Sequence, residues 1–183
     1  MANQMGDQEN REKRNGLPDI NDPGFGDQHY VKMGEIIITE EPEKYHLLGI
    51  GTCLGIFIYD LKRLQFSMAH TLLPSKDLDA GNARHEKLPA KFTDYAITQM
   101  IEALLKKGSR KTDLIAKIAG GAQIYNDSFN IGERNYLTAK RIFEEEGIPL
   151  VVADVGGKTG RSIVRFLKTG EMLMRKEGKQ YII

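Results

Sequence analysis

Two apolar runs constrain this chain most: Leu54-Gly55-Ile56-Phe57-Ile58-Tyr59, and Leu64-Gln65-Phe66-Ser67-Met68-Ala69-His70 just beyond the polar group Asp60-Leu61-Lys62-Arg63. Short runs rich in β-branched and aromatic residues on either side of a polar break form a hairpin pattern. Large apolar residues occupy both alternating sets of positions, so a strand pair of this composition needs cover on both faces and leaves no wet side.

The rest of the chain supplies the covering layers. Gly34-Glu35-Ile36-Ile37-Ile38-Thr39 reads as a further strand, with the ordered part beginning near Val31. After a polar loop from about Pro74 to Pro89, Ala96, Ile97, Met100, Ile101, Leu104 and Leu105 recur at helical spacing, with Thr93 or Asp94 as the expected N-cap and Gly108 as terminator. Leu114 to Ala119 reads as a strand. Asn130 opens a second helix, with Glu133 in the capping-box position and Gly147 at the end. Ile148 to Ala153 is another strand, and Arg161–Leu167 and Met172–Arg175 form a hairpin around Lys168-Thr169-Gly170. The expected fold is α/β, a layered α-β sandwich with a mixed, largely antiparallel sheet core and at least two packed helices.

A chain of 183 residues supports one substantial core. Residues 31–183 are therefore read as one domain and residues 1–30, dominated by Gly, Asn, Asp, Gln, Glu, Arg and Lys, as a disordered polar tail. With 26 basic and 25 acidic residues in mixed order, net charge +1, the chain has no broad attraction for nucleic acid. No apolar run approaches the ~20 residues that span a bilayer, so no membrane insertion is expected. Met1 to Asn10 lack a secretory h-region and the single cysteine cannot form an intramolecular disulfide, which points to the cytoplasm. His29, His46 and His85 show no metal-ligand spacing, and neither a metal nor another cofactor is expected. Gly157-Lys158-Thr159 fails as a phosphate loop because Val152 stands where a glycine is required. Gly156, Gly157 and Gly160 are read instead as shaping a tight turn.

Cys53 lies in Gly49-Ile50-Gly51-Thr52-Cys53-Leu54-Gly55. A solitary cytoplasmic cysteine is usually a small buried apolar residue. The hairpin suggests more. A turn centred between Leu61 and Lys62 pairs Asp60 with Arg63 and, in the same register, Cys53 with His70, with Cβ atoms about 4.5–5.5 Å apart. An imidazole at that distance accepts the thiol proton and gives an ion pair populated near neutral pH, so Cys53 and His70 are the candidate catalytic residues. Gly51, Thr52 and Gly55 are the candidate substrate-binding residues, since backbone beside small residues approaches a substrate closely and presents N–H groups to an oxyanion.

Leu48-Gly49-Ile50-Gly51-Thr52-Cys53-Leu54-Gly55, Tyr59-Asp60 and Met68-Ala69-His70-Thr71-Leu72-Leu73-Pro74 resemble, in order, the signature of the CheD family of chemoreceptor glutamine deamidases. Lys91-Phe92-Thr93-Asp94-Tyr95-Ala96-Ile97, Gly120-Gly121-Ala122, Ile131-Gly132-Glu133-Arg134-Asn135, Asp154-Val155-Gly156-Gly157, Gly160-Arg161 and Thr169-Gly170 continue the likeness, which runs from about Ile36 to Arg175. The resemblance implies a protein-glutamine deamidase without cofactor, in which Cys53 is the nucleophile and His70 the base. It also implies methyl-accepting chemotaxis receptors as substrates and the CheC phosphatase as a partner. The family has a threonine six residues before the cysteine, which would help orient the imidazole. This chain has Leu47 there, so another group takes that part, with His46, Tyr45 and Thr52 as nearby candidates, or none does. Phe66-Ser67 also stand where small glycines are usual. A chain that kept the fold and the partner surface without turnover would be a non-catalytic chemotaxis adaptor. A cysteine hydrolase acting on another protein or a small amide is the third reading.

Overall fold

The computed structural model describes residues 29–76, 88–124 and 129–183. The tail expected over residues 1–30 lies outside them except for His29 and Tyr30, as does much of the polar loop after Pro74.

Within these residues the chain runs β1 (His29–Tyr30), β2 (Ile36–Thr39), β3 (Tyr45–Ile50), β4 (Leu54–Asp60), β5 (Gln65–Thr71), α1 (Thr93–Lys106), β6 (Ile115–Gly120), α2 (Ile131–Glu146), β7 (Leu150–Val155), β8 (Arg161–Phe166), β9 (Met172–Lys176) and β10 (Lys179–Ile182). One five-stranded sheet has the order β2-β5-β4-β6-β7 and the other β1-β3-β8-β9-β10. Only β6–β7 and β1–β3 pair in parallel. The first of these follows from α2, which carries the chain back along the sheet between β6 and β7. The α/β class and the mixed, largely antiparallel core read from the sequence are the ones observed.

The central strand β4 shows why its two apolar sets are needed. Leu54, Ile56 and Ile58 join a cluster with Ala96, Ile97, Met100, Ile101 and Leu104 of α1 and with Ala139, Ile142 and Phe143 of α2. Phe57 and Tyr59 point the other way, into a cluster with Phe66, Met68, Ile163, Phe166, Met172 and Met174 between the two sheets. Burying a side chain of this size stabilises by about 1.5–3 kcal/mol, so both faces of β4 contribute. The molecule is layered as helices, first sheet, second sheet.

Asn130 is the N-cap of α2: its side chain accepts from the Glu133 amide at 3.3 Å while its Nδ2 donates to the Glu133 carboxylate at 2.8 Å. Gly147, at φ 66°, closes the helix. At α1 the expectation fails, because the N-cap position is Phe92, without a side-chain cap bond; Asp94 lies inside the first turn, where its Oδ1 accepts from the Tyr95 amide at 2.7 Å. Thr93 is fully buried, with its hydroxyl 2.9 Å from that of Thr71.

The hairpin register also differs from the one read in the sequence. The loop is Leu61–Leu64, and Asp60 pairs with Gln65 rather than Arg63. Asp60 Oδ1 accepts from the amides of Lys62 at 2.9 Å and Arg63 at 3.2 Å, and Leu64 adopts φ 51°, which together stabilise the longer loop. Cys53 is therefore not opposite His70; Gly55 is. The slip is of two residues, and an even slip keeps every side chain on its face.

Candidate active site

Cys53 lies in the bend at residues 51–53, between the end of β3 and the start of β4. Each carbonyl of this bend is held by the protein. Gly51 O accepts from Ala122 N at 2.8 Å, Thr52 O from Asn135 Nδ2 at 2.9 Å and Cys53 O from Gly121 N at 2.7 Å. In a trans peptide the N–H points opposite to the preceding carbonyl. With Gly51 O and Thr52 O turned into the protein, the amides of Thr52 and Cys53 are turned the other way. The Cys53 amide lies near its own sulfur.

The partners of this bend are fixed from behind. Gly120 has φ +125°, and a Cβ there would overlap the Cys53 carbonyl oxygen. Arg161, fully enclosed at the start of β8, donates from Nη1 to Gly120 O and from Nη2 to Gly156 O at 2.9 Å, and pairs with Asp154 at 3.2 Å. Its two Nη groups thus meet two backbone carbonyls and a carboxylate, while Nε is buried without a partner, and the side chain braces the back of the bend.

His70 is near the end of β5, on the inter-sheet face shared with Phe66 and Met68. Across the ladder stands Gly55, where a Cβ would come within 3.0 Å of Leu47, Ile50 and Ile163 side chains. Glycine there is what lets Leu47, Ile50 and Ile163 close against β4 across from the imidazole. Cys53, two residues before Gly55, packs against the same inter-sheet cluster. A regular ladder puts such a diagonal pair about 7–8 Å apart, not the 4.5–5.5 Å of a directly opposed one. Cys53, in the bend just before β4, and His70, near the end of β5, lie toward the same end of the β4–β5 pair, one step further apart in register than the sequence suggested.

The imidazole of His70 bonds to the backbone of Val31, and its Nε2 is buried without a hydrogen-bond partner. Nδ1 is then the bonded nitrogen, and Nε2 the one available to a proton. Val31 is held in turn, its amide donating to His46 O at 2.8 Å. Leu47 offers the imidazole no hydrogen bond, and the one the imidazole has is to the Val31 backbone. Leu47 itself is fully buried in the apolar space beside Gly55. Of the nearby candidates, His46 bonds to the Val164 backbone, Tyr45 packs on His29, and the Thr52 hydroxyl bonds to the Cys53 sulfur.

Burial holds the His70 imidazole below its ordinary 6.5, against the opposing effect of the Val31 bond. Burial likewise pushes the Cys53 thiol above its ordinary 9.0, partly offset by its own amide and the Thr52 hydroxyl. Both shifts favour uncharged groups. The resting pair is thiol and neutral imidazole, whereas the hairpin reading gave an ion pair. The reason is that both groups are withdrawn from water at the end of an apolar layer.

Residues 72–176 match the family model for CheD, described as CheD chemotactic sensory transduction. Proteins named probable chemoreceptor glutamine deamidase CheD are similar along most of their length. The one from Moorella thermoacetica is 36% identical over 157 residues, covering 81% of this chain and 92% of its own. The one from Pyrococcus abyssi is 40% identical over 157 residues, covering 84% and 89%. The chain belongs to the CheD family. In CheD terms, the bend at residues 51–53 lies before the stretch matched by the family model and within a chain whose relatives match over four-fifths of it.

Sequence reasoning missed two contributors to this site. Val31 acts through its backbone and leaves no side-chain signal. Asn135 did leave one: it shares the buried helical stripe of Ala139, Ile142 and Phe143, and an amide on such a stripe needs partners.

Proposed function

We propose that this protein is a glutamine deamidase of methyl-accepting chemotaxis receptors, with Cys53 as nucleophile and His70 as general base and then general acid. The observation that carries this reading is the unpartnered Nε2 of His70 toward the same end of the hairpin as Cys53. A glutamine carboxamide entering between them closes the gap, because catalytic hydrogen bonds often shorten only in the complex.

Nε2 takes the thiol proton as sulfur attacks the carboxamide carbon. The oxyanion forms against the amides of Cys53 and Thr52. The imidazolium returns the proton to nitrogen, the C–N bond breaks and ammonia leaves, with the acyl group as a thioester on Cys53. Water, deprotonated by neutral His70, then attacks the thioester, and C–S cleavage releases glutamate and restores the thiol. Gly51 adds no side chain beside the incoming amide, and Gly55 lets Leu47, Ile50 and Ile163 pack against β4 across from His70. No step requires a metal or cofactor. The reading places the enzyme in the cytoplasm, where receptor signalling bundles present their glutamines, with CheC as a further partner; no helix among the described residues is long and apolar enough to cross a membrane.

Ammonia release from a glutamine-bearing receptor fragment, compared for the wild type and Cys53→Ala, tests this directly. Loss of the signal in the variant is expected. Equal, negligible signals from both proteins would favour the adaptor.

The pH dependence follows from the neutral resting pair. The acid limb of kcat/KM belongs to His70 and falls below its ordinary 6.5, because burial makes the imidazole harder to protonate. Iodoacetamide, which needs thiolate, should react with Cys53 along a curve centred above the ordinary 9.0. Turnover near its plateau at about pH 7 with slow alkylation there is the expected combination. Fast, flat alkylation below that pH would contradict it.

A further inference from the structure

The amide of Asn135 is fully buried, and its Nδ2 makes two bonds: to Thr52 O at 2.9 Å and to Leu72 O at 3.0 Å. Its Oδ1 lies 3.5 Å from the Thr93 hydroxyl, which in turn is 2.9 Å from that of Thr71. These contacts lie where the β4–β5 ladder stops, since Leu54 with Thr71 is its last pair. Thr52 immediately precedes Cys53 and Leu72 follows His70 by two residues. One side chain therefore joins the bend that carries the thiol to the segment just after the strand that carries the imidazole, at the point where backbone pairing ends.

The reach of Asn135 depends on a close approach one turn earlier. A Cβ on Gly132 would come within 2.7 Å of the Ala122 carbonyl oxygen and closer still to that of Gly121, so only glycine lets α2 lie this near the loop. Of the three bend carbonyls, those of Gly51 and Cys53 are held by backbone amides, which sequence changes leave in place. The Thr52 carbonyl alone is held by a side chain.

We infer that Asn135 is a positioning residue, which orients the Thr52–Cys53 peptide so that the Cys53 amide faces the sulfur and the developing oxyanion. The inference rests on the proposed thiol mechanism. A buried amide that served stability alone would need its bonds satisfied somewhere. This one spends both donors on the two backbone segments that flank the reacting pair. Without them the peptide plane is free to turn, and the Cys53 N–H leaves the face where negative charge appears.

The test uses Asn135→Leu, which is similar in volume and has no donors, in the full-length chain. For the folded variant, kcat for ammonia release should fall by at least about tenfold, as for partial loss of an oxyanion donor, with KM within twofold. The pH curve of Cys53 alkylation by iodoacetamide should move further to the alkaline side. Asn135→Gln, which keeps the donors on a longer stem, should restore part of both. A folded Asn135→Leu protein with kcat and alkylation curve unchanged would overturn the inference. The alkylation curve needs no receptor. A wild type that releases no ammonia would sink the deamidase reading, while the shift in Asn135→Leu would still report the positioning role.

If Asn135→Leu does not fold, the wild type answers through a crystal structure with a peptide whose glutamine amide is replaced by an aldehyde. The thiol adds across the carbonyl, forming the C–S bond and placing its proton on oxygen. That oxygen should lie on the Cys53 amide with Thr52 O still bound by Asn135. An oxygen directed elsewhere, or a Thr52 carbonyl turned away from Asn135, would overturn the proposal.

Discussion

His70→Gln is expected to lower the rate of ammonia release from a receptor glutamine by about 10²–10⁴-fold, the usual contribution of a positioned acid–base group, and to leave the secondary structure intact. Glutamine can keep a hydrogen bond to the Val31 backbone, so the loop from Val31 to Glu35 should stay docked on β5, where Gly34 donates to His70 O at 2.7 Å. It has no nitrogen that accepts the thiol proton. Because the Cys53 thiol is held above its ordinary value, little thiolate is present to react unaided. The loss should therefore be steep near neutrality and should shrink as pH rises and hydroxide does the work of the base. A variant within fivefold of wild type at neutral pH would remove His70 from the mechanism. Stopped assays of ammonia with circular dichroism on the same samples decide the matter.

Gly120→Ala should be strongly destabilising. Its φ of +125° belongs to a region that L side chains avoid, and a Cβ there would overlap the carbonyl oxygen of Cys53 and crowd Ile50 Cγ2 at 2.6 Å. Neither obstacle is a flexible side-chain end. The Cys53 carbonyl is fixed by Gly121 N, and Gly120 O is fixed by Arg161 and by Gly156 N at 3.0 Å. Backbone strain of about 1–3 kcal/mol adds to overpacking of similar size, about 1–3 kcal/mol. Urea unfolding should show a loss of several kcal/mol, and any folded fraction should be inactive because the bend holding Cys53 is the part that must move. An unchanged urea midpoint would mean that the bend is looser than its hydrogen bonds indicate.

The layers were legible in the sequence because β4 and β5 carry apolar residues on both alternating sets, a local pattern that no later packing overrides. Asn130, Glu133 and Gly147 marked α2 for the same reason: capping is settled within one turn of chain. Strands β1, β3 and β10 were not read. β3, Tyr45–Ile50, is broken by a register shift against β8 and carries exposed Leu48 beside buried Leu47, so its pattern is neither alternating nor continuous. The hairpin register was misread because its loop depends on the buried Asp60 carboxylate collecting the amides of Lys62 and Arg63, a choice that a two-residue turn model does not contain. Thr93 and Asp94 both resemble caps by residue type, because Thr and Asp are favoured at N-caps, but Thr93 does not act as one. Its hydroxyl is drawn instead into the buried line of Thr71 and Asn135, a contact between residues far apart in sequence.

The register error left Cys53 and His70 near the same end of the hairpin for a definite reason. A slip of one residue would have sent His70 to the helix side of the sheet, with Ala69 and Thr71, and ended the reading. The slip of two replaced a direct neighbour by a diagonal one and put Gly55 across from the imidazole. What the sequence could not show was the charge state, since that depends on how deeply both groups sink between the sheets.

The central claim is that the Cys53 sulfur becomes covalently bonded to the glutamine side chain during turnover. Mixing the protein with excess receptor fragment, quenching in acid within the first turnovers and mapping the products by mass spectrometry tests it most directly. A thioester joining the receptor glutamyl carbon to the Cys53 peptide, absent from Cys53→Ala, is the predicted result. Ammonia released at the same rate by Cys53→Ala, with no adduct on the wild type at any quench time, would contradict the account.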